Sequence, residues 1–182
     1  DGLTWFYCGY NDWHNGTGDK CLSYYNQAKV LSREKKDYKT LAIVYYNLSD
    51  YYRYTQKDSL AQCYISLSLN LLKGTSFYSD LAKAYNIQAE VYRTKGDYKN
   101  ALETYIVTAR IAYQILDSTR IGYCYSRMGY IYYMQNDFVK ADVYLLKSLD
   151  LAEKTSSRNL KLFSLKTLAD MHSNQGNIVK CK

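Results

Sequence analysis

The feature that most constrains this chain is a self-similarity that returns every forty positions, held without an insertion from end to end. Small residues recur at Gly9, Ser49, Ala89, Gly129 and Ala169, and again at Cys21, Ala61, Ala101, Ala141 and Cys181. Large ones keep step with them. Trp5, Tyr45, Tyr85, Tyr125 and Leu165 stand four residues before the first column, and Tyr25, Ile65, Tyr105 and Leu145 four residues after the second. A fixed period of this length marks a stack of supersecondary units, each unable to bury its apolar face alone. The units run near 2–41, 42–81, 82–121 and 122–161, with a partial one at 162–182, about four and a half in all.

Each unit reads as two helices. In the third, Tyr85, Gln88, Ala89 and Tyr92 fall at i, i+3, i+4 and i+7, one face of a 3.6-residue period. Lys95-Gly96-Asp97 then breaks the run, with Gly suited to a left-handed helix end and Asp to the next helix start. Ala101, Tyr105, Thr108 and Ala109 form the buried stripe of the second helix. Small residues at 89 and 101 let two antiparallel helices approach, and the tyrosines fill the space around that contact. In the fifth unit the same register predicts a turn at Gly176-Asn177-Ile178.

Composition agrees. Proline is absent, so helices run uninterrupted, and 47% hydrophobic with 23% charged residues is globular rather than disordered. No apolar run approaches the roughly 20 residues of a membrane-spanning helix. The net charge is +7, but basic residues are scattered among acids, as in Arg33-Glu34-Lys35-Lys36-Asp37, which disfavours nucleic acid as the partner.

Catalytic chemistry finds little support. His14 and His172 are the only histidines and lie far apart, and the five cysteines lack metal-ligand spacing, so neither a metal nor a cofactor is expected. No nucleophile elbow, phosphate loop or zinc-protease motif occurs. Gly16-Thr17-Gly18-Asp19 falls at the turn of the first unit and reads as that turn. Asn15-Gly16-Thr17 and Asn47-Leu48-Ser49 match the glycosylation sequon, a pattern that arises easily by chance. Cys8 and Cys21 sit at the close-approach columns of one hairpin, where a disulfide is sterically conceivable. Such a bond would place the chain outside the cytoplasm, the compartment otherwise slightly favoured.

The recurring pattern resembles the tetratricopeptide repeat. Trp5, Cys8, Gly9, Cys21, Tyr25 and Ala28 carry the likeness in the first unit. Tyr85, Ala89, Tyr92, Gly96-Asp97-Tyr98, Ala101 and Tyr105 carry it in the third, and Gly129, Tyr132, Asp137-Phe138 and Ala141 in the fourth. Two departures stand out: the period exceeds the family's ~34 residues, and the proline that usually ends the second helix is missing throughout. Segments such as Lys73-Gly74-Thr75-Ser76 and Lys154-Thr155-Ser156-Ser157 must make those turns. A HEAT-type solenoid also fits the period, but it does not account for the Gly-Asp-Tyr turn.

The resemblance implies an all-α, right-handed solenoid of antiparallel helix hairpins that binds a protein or peptide in a concave groove lined by the first helices, without catalysis. Helical phase assigns to that groove Phe6, Tyr10, Trp13 and His14, then Tyr46, Asn47, Asp50, Arg53 and Tyr54. The third unit adds Lys83, Asn86, Glu90 and Arg93; the fourth adds Tyr123, Ser126, Arg127, Tyr130 and Tyr133; the fifth adds Lys166 and Asp170. Rings, amides and guanidiniums suit a peptide surface. The family's carboxylate clamp is not reproduced: Asn47 and Lys83 are in frame, but Phe6, Tyr10 and Ile87 stand where its other members belong. The alternative function is a ligand-sensing region of a bacterial signalling protein or transcription regulator. Both ends enter or leave a repeat uncapped, which predicts a piece of a longer chain and makes self-association through the ends a third expectation.

Overall fold

The computed structural model describes residues 2–14 and 20–180, with side chains for 2–11 and 20–174. The expected turn at Gly16–Asp19, the Asn15 sequon and Cys181 lie outside the described residues, as do the side chains of Trp13 and His14. Among the described residues there are nine helices and no strand. They are α1 (Gly2–His14), α2 (Cys21–Glu34), α3 (Tyr38–Tyr54), α4 (Asp58–Leu72), α5 (Tyr78–Thr94), α6 (Tyr98–Gln114), α7 (Ser118–Met134), α8 (Phe138–Lys154) and α9 (Arg158–Lys180). From α3 onward the odd helices keep the period of the sequence, starting at 38, 78, 118 and 158.

The chain forms two compact units, 1–96 and 97–182. In the first, α1 packs on α2, α3 on α4, and α3 also meets α1 and α5. Phe6, Tyr25, Ala28, Leu41, Val44, Tyr45 and Leu48 make one core cluster there, and Ala42, Tyr46, Ile65, Leu69, Leu72 and Ala84 a second. In the second unit α7 packs on α6, α8 and α9, and Ala141, Leu145, Leu168 and Met171 close the core beneath α9.

The small-residue columns are where helices touch. A Cβ on Gly9 would stand 3.1 Å from the Cys21 carbonyl, and one on Gly129 would stand 3.2 Å from the Ala141 carbonyl. At the second position of that column Ser49 uses the proximity, donating its hydroxyl to the Ala61 carbonyl at 2.8 Å. The expected Cys8–Cys21 disulfide is corrected by the same geometry. Gly9, not Cys8, faces Cys21; one residue along a helix turns a side chain by about 100°. Cys8 is exposed, Cys21 is buried, and both are thiols.

The missing proline is explained by a backbone device that recurs at nearly every helix-to-helix turn. Lys36, Gln56, Gly96, Leu116, Asn136 and Ser156 all adopt positive φ, between 52° and 76°. The next residue donates its N–H five residues back, Asp37 to Ser32 at 2.9 Å, Lys57 to Tyr52 at 2.8 Å and Asp137 to Tyr132 at 2.9 Å. This is the Schellman closure, a single left-handed residue that satisfies the last carbonyls of the helix. That same next residue begins the following helix. Asp37, Asp97, Asp117 and Asp137 each accept a hydrogen bond from the backbone N–H three residues on. The hydrogen bonds from Thr40, chiefly, hold the Asp37 carboxyl below its usual range. Turns within and between hairpins are therefore the same object. Among the described turns 73–77 departs from this pattern: Gly74 takes the positive φ three residues before the residue that begins α5, which, like α4, has no side-chain cap.

Five of the six residues in that recurring position are not glycine, and a left-handed non-glycine residue carries a backbone cost of about 1 kcal/mol. A Cβ at Gly96 would meet nothing within 4 Å, so only the backbone distinguishes the sites. Gln56→Gly is expected to stabilise by roughly 0.5–1 kcal/mol and Gly96→Gln to destabilise by a similar amount. Urea midpoints of the two variants check the opposed signs.

The turn expected at Gly176-Asn177-Ile178 is not formed, and α9 runs unbroken to Lys180. Continued intrahelical hydrogen bonding is then the favourable course for the backbone.

Candidate functional site

The residues assigned to the groove divide between the units. In the first unit α3 and α5 present a ladder of alternating charge. Asp50 Oδ1 accepts from Arg53 Nη2 at 2.6 Å and Nε at 3.0 Å, and Glu90 Oε2 accepts from Arg93 Nη2 at 2.7 Å and Nε at 3.2 Å. Each pair is one helical turn apart, and the two occupy equivalent places in successive repeats. The Arg53 and Glu90 side chains are each only 10% exposed. Burial works against the Arg53 charge, but Asp50 and Glu90 outweigh it and hold the guanidinium above its ordinary range. Arg53 also lies 4.2 Å over the ring of Tyr54, itself 60% exposed. These cations therefore already have carboxylates, and an incoming anion must compete for them.

The other first-unit residues are scattered in role. Phe6 is a correction: it is 7% exposed and stacks on Tyr25 in the core. Its phase places it under α3 rather than beside it. Tyr10 is exposed, with its ring 5.9 Å from that of Phe6. Tyr46 is buried and donates to Asp80 at 3.4 Å, while exposed Lys83 lies 3.8 Å from the same carboxylate. Asn47 gives its amide N–H to the Ile43 carbonyl at 2.8 Å, one turn back on its own helix. Asn86 is half-buried.

In the second unit α7 and α9 bring rings together. Tyr130 and Tyr133 lie 6.3 Å apart, Tyr130 and Phe163 6.2 Å, and Arg127 rests 4.4 Å over the face of Phe163. Tyr133 also packs near Phe138 and accepts from the amide of Asn174. Tyr123, Arg127, Tyr130 and Tyr133 are all half-buried, the state of a surface with both apolar area and accessible edges. Ser126 is a correction, fully buried with its hydroxyl turned back to the Tyr123 carbonyl at 2.8 Å. Lys166 and Asp170 are exposed on α9.

Phe163 and Asn174 were not read from the sequence as site residues. The signal for Phe163 was present, because it occupies the same column as Tyr123 one period later. So was that for Asn174, which occupies the same column as Tyr54 three periods later. No group of His, Cys, Asp and Glu that could hold a metal occurs among the described residues. No helix there is long and apolar enough to cross a membrane.

Residues 80–154 match the model of the tetratricopeptide repeat family. No curated protein matches the sequence. Among solved structures the chain is similar to RapI in its apo form, with a TM-score of 0.83 at 19% identity. That superposition covers 97% of this chain and 64% of RapI. It is also similar to BtubC (BKLC) from P. vanneervenii, with a TM-score of 0.75 at 17% identity, over 86% of this chain and 65% of that one. The chain thus spans about two thirds of the length of these structures, and at such identities the likeness is one of fold. Residues 80–154 match the tetratricopeptide repeat, and the chain as a whole has the all-α fold of tetratricopeptide-like helical hairpins.

Proposed function

We propose that the chain is a non-catalytic protein-interaction scaffold that seats a peptide or polypeptide segment on the first-helix face of its second unit, along α7 and α9. A tetratricopeptide-like repeat supports an interaction role in general; the observation that carries this site is the cluster of Arg127, Tyr130, Tyr133 and Phe163. Contiguous half-exposed rings supply apolar area at low cost in side-chain entropy, and the Arg127 guanidinium stacked on one of them adds a cationic group to that apolar surface. The ladder of the first unit contributes a polar, charge-compensated surface whose arginines are held by Asp50 and Glu90.

Selection from a displayed random-peptide library against the whole chain tests this. Enriched peptides should bind Arg127→Glu at least about tenfold more weakly. Peptides that hold Arg127→Glu and the parent equally would remove α7–α9 as the site. Arg53→Glu is the wrong probe, because it breaks a structural pair.

A second reading is a ligand-sensing region of a bacterial signalling protein or transcription regulator. One observation favours it: the similar structure of RapI is described as an apo form, a term for a protein that takes a ligand. A selected ligand that changes the hydrogen exchange of helices it does not touch would favour sensing over scaffolding.

A further inference from the structure

We propose that the second unit carries a separate interaction site, a trough between α6 and α8 floored by α7, which takes one face of an acidic amphipathic helix from another polypeptide. It is built on the opposite side of α7 from Arg127 and Tyr130, since Ile121, Tyr125 and Met128 lie about half a turn of the helix away from them. Two adjoining hollows of about 430 and 610 Å³ share Tyr113, Ile121, Tyr125 and Lys147, so they form one open depression.

The repeat supplies its own control. Two repeats earlier, α2 and α4 stand in the same relation to α3. At five wall positions the first unit carries Asn26, Lys29, Arg33, Lys36 and Ser66, where the second carries Ile106, Ala109, Tyr113, Leu116 and Leu146; at three others the exchange is reversed, with exposed Val30, Tyr38 and Leu67 where the second has Arg110, Ser118 and Lys147. Lys29 spans its trough, reaching the Tyr64 hydroxyl at 3.4 Å and lying 5.6 Å over that ring. Its counterpart Ala109 is too short to reach Tyr144, over which Lys147 of α8 lies instead, 5.7 Å from that ring and 5.9 Å from Tyr125. The two floors differ in exposure. Leu41 and Tyr45 are each 4% exposed, whereas Ile121 and Tyr125 are only half-buried. Leu116 and Tyr113 reach 84% and 73% exposure, and Ile106 and Leu146 are also exposed. Apolar area gathered at positions that the same fold elsewhere fills with polar residues is the mark of an interaction surface.

Shape and charge select the occupant. The walls are helices, with no strand edge to pair an extended peptide, whose backbone groups would lie unsatisfied against an apolar floor. A helix satisfies its own backbone, and the trough is open along its length, unlike the enclosing pockets that bury small molecules. Arg110 stands on one wall and Lys147 on the other, both exposed, and neither has an acidic partner among the described residues. Asp150, the one carboxylate lining the depression, is bonded to Lys154 at 2.7 Å. A helix with leucines at i, i+4 and i+7 and glutamates along their edges matches both the floor and the rim.

The test uses the whole chain and a fluorescein-labelled 14-residue Leu/Glu helix of roughly that pattern, followed by fluorescence anisotropy. Twins carry Lys for Glu, or a central proline that forbids the helix; dodecanoate serves as a small amphiphilic anion. The Leu/Glu helix should bind, and both twins should bind at least about tenfold more weakly. Ala109→Lys, which restores the first unit's residue, should abolish binding with far-UV ellipticity unchanged. The exposed double change Arg110→Glu with Lys147→Glu should transfer the preference to the Lys twin. No binding of the Leu/Glu helix, equal binding of either twin, indifference to both variants, or binding of dodecanoate alone would overturn the proposal. None of these changes touches Arg127 or Phe163, so the outcome is independent of the α7–α9 reading.

Discussion

Gly129→Val is expected to destabilise the chain by about 3 kcal/mol, even though valine is the better helix former by a few tenths. A Cβ at 129 would stand 2.7 Å from Leu145 Cγ and 3.2 Å from the Ala141 carbonyl. Leu145 is fully buried and cannot swing aside, and the carbonyl belongs to the backbone of α8. The two helices would have to part along the contact that defines the hairpin. Leu145→Ala, taken alone, should cost about 3–4 kcal/mol through the cavity it leaves. The two changes are not independent, because a valine at 129 grows into the space that the leucine vacates. The double variant should therefore lie at least ~1 kcal/mol short of the sum. Denaturation followed by far-UV ellipticity gives all four values. Strict additivity would mean that the small column of α7 and the large column of α8 do not meet.

Arg53→Glu is expected to cost about 3 kcal/mol or more, since it removes the cation from a mostly buried pair and adds a third carboxylate beside Asp50 and Glu90. The sign of the pH dependence follows. With Arg53 gone, carboxylates crowded in the folded state are raised above their unfolded values of about 3.9–4.3. Groups raised in this way favour the fold at low pH and oppose it as pH rises through their folded values. The deficit should be greatest near neutrality and shrink as pH falls toward 4. A deficit independent of pH would point to lost packing instead.

What the sequence made legible was periodic. The columns at 9, 49, 89 and 129 and at 21, 61, 101 and 141 identified the helix contacts, because a close approach admits only small side chains. The Gly96-Asp97 turn was readable from residue chemistry. Its relatives were not: Lys36, Gln56, Leu116 and Ser156 reach the same left-handed conformation against their own preference, imposed by the packing of the helices on either side. That override is why the absence of proline looked like an anomaly. Helical phase also left unsettled which polar residues face solvent and which face one another. Arg53 and Arg93 proved to be held by neighbours one turn away, and Ser126 and Phe6 turned inward. Phe163 lay in the same legible column as Tyr123, but of the fifth unit's first helix only Lys166 and Asp170 were assigned to the groove.

The most direct measurement is the dissociation constant of a library-selected peptide for the parent chain, Phe163→Ala and Val139→Ala, the last a 78%-exposed position on α8. A peptide seated along α7 and α9 requires Phe163→Ala to weaken binding by at least about tenfold while Val139→Ala leaves it unchanged. Equal affinity for all three, or a loss confined to Val139→Ala, would contradict it.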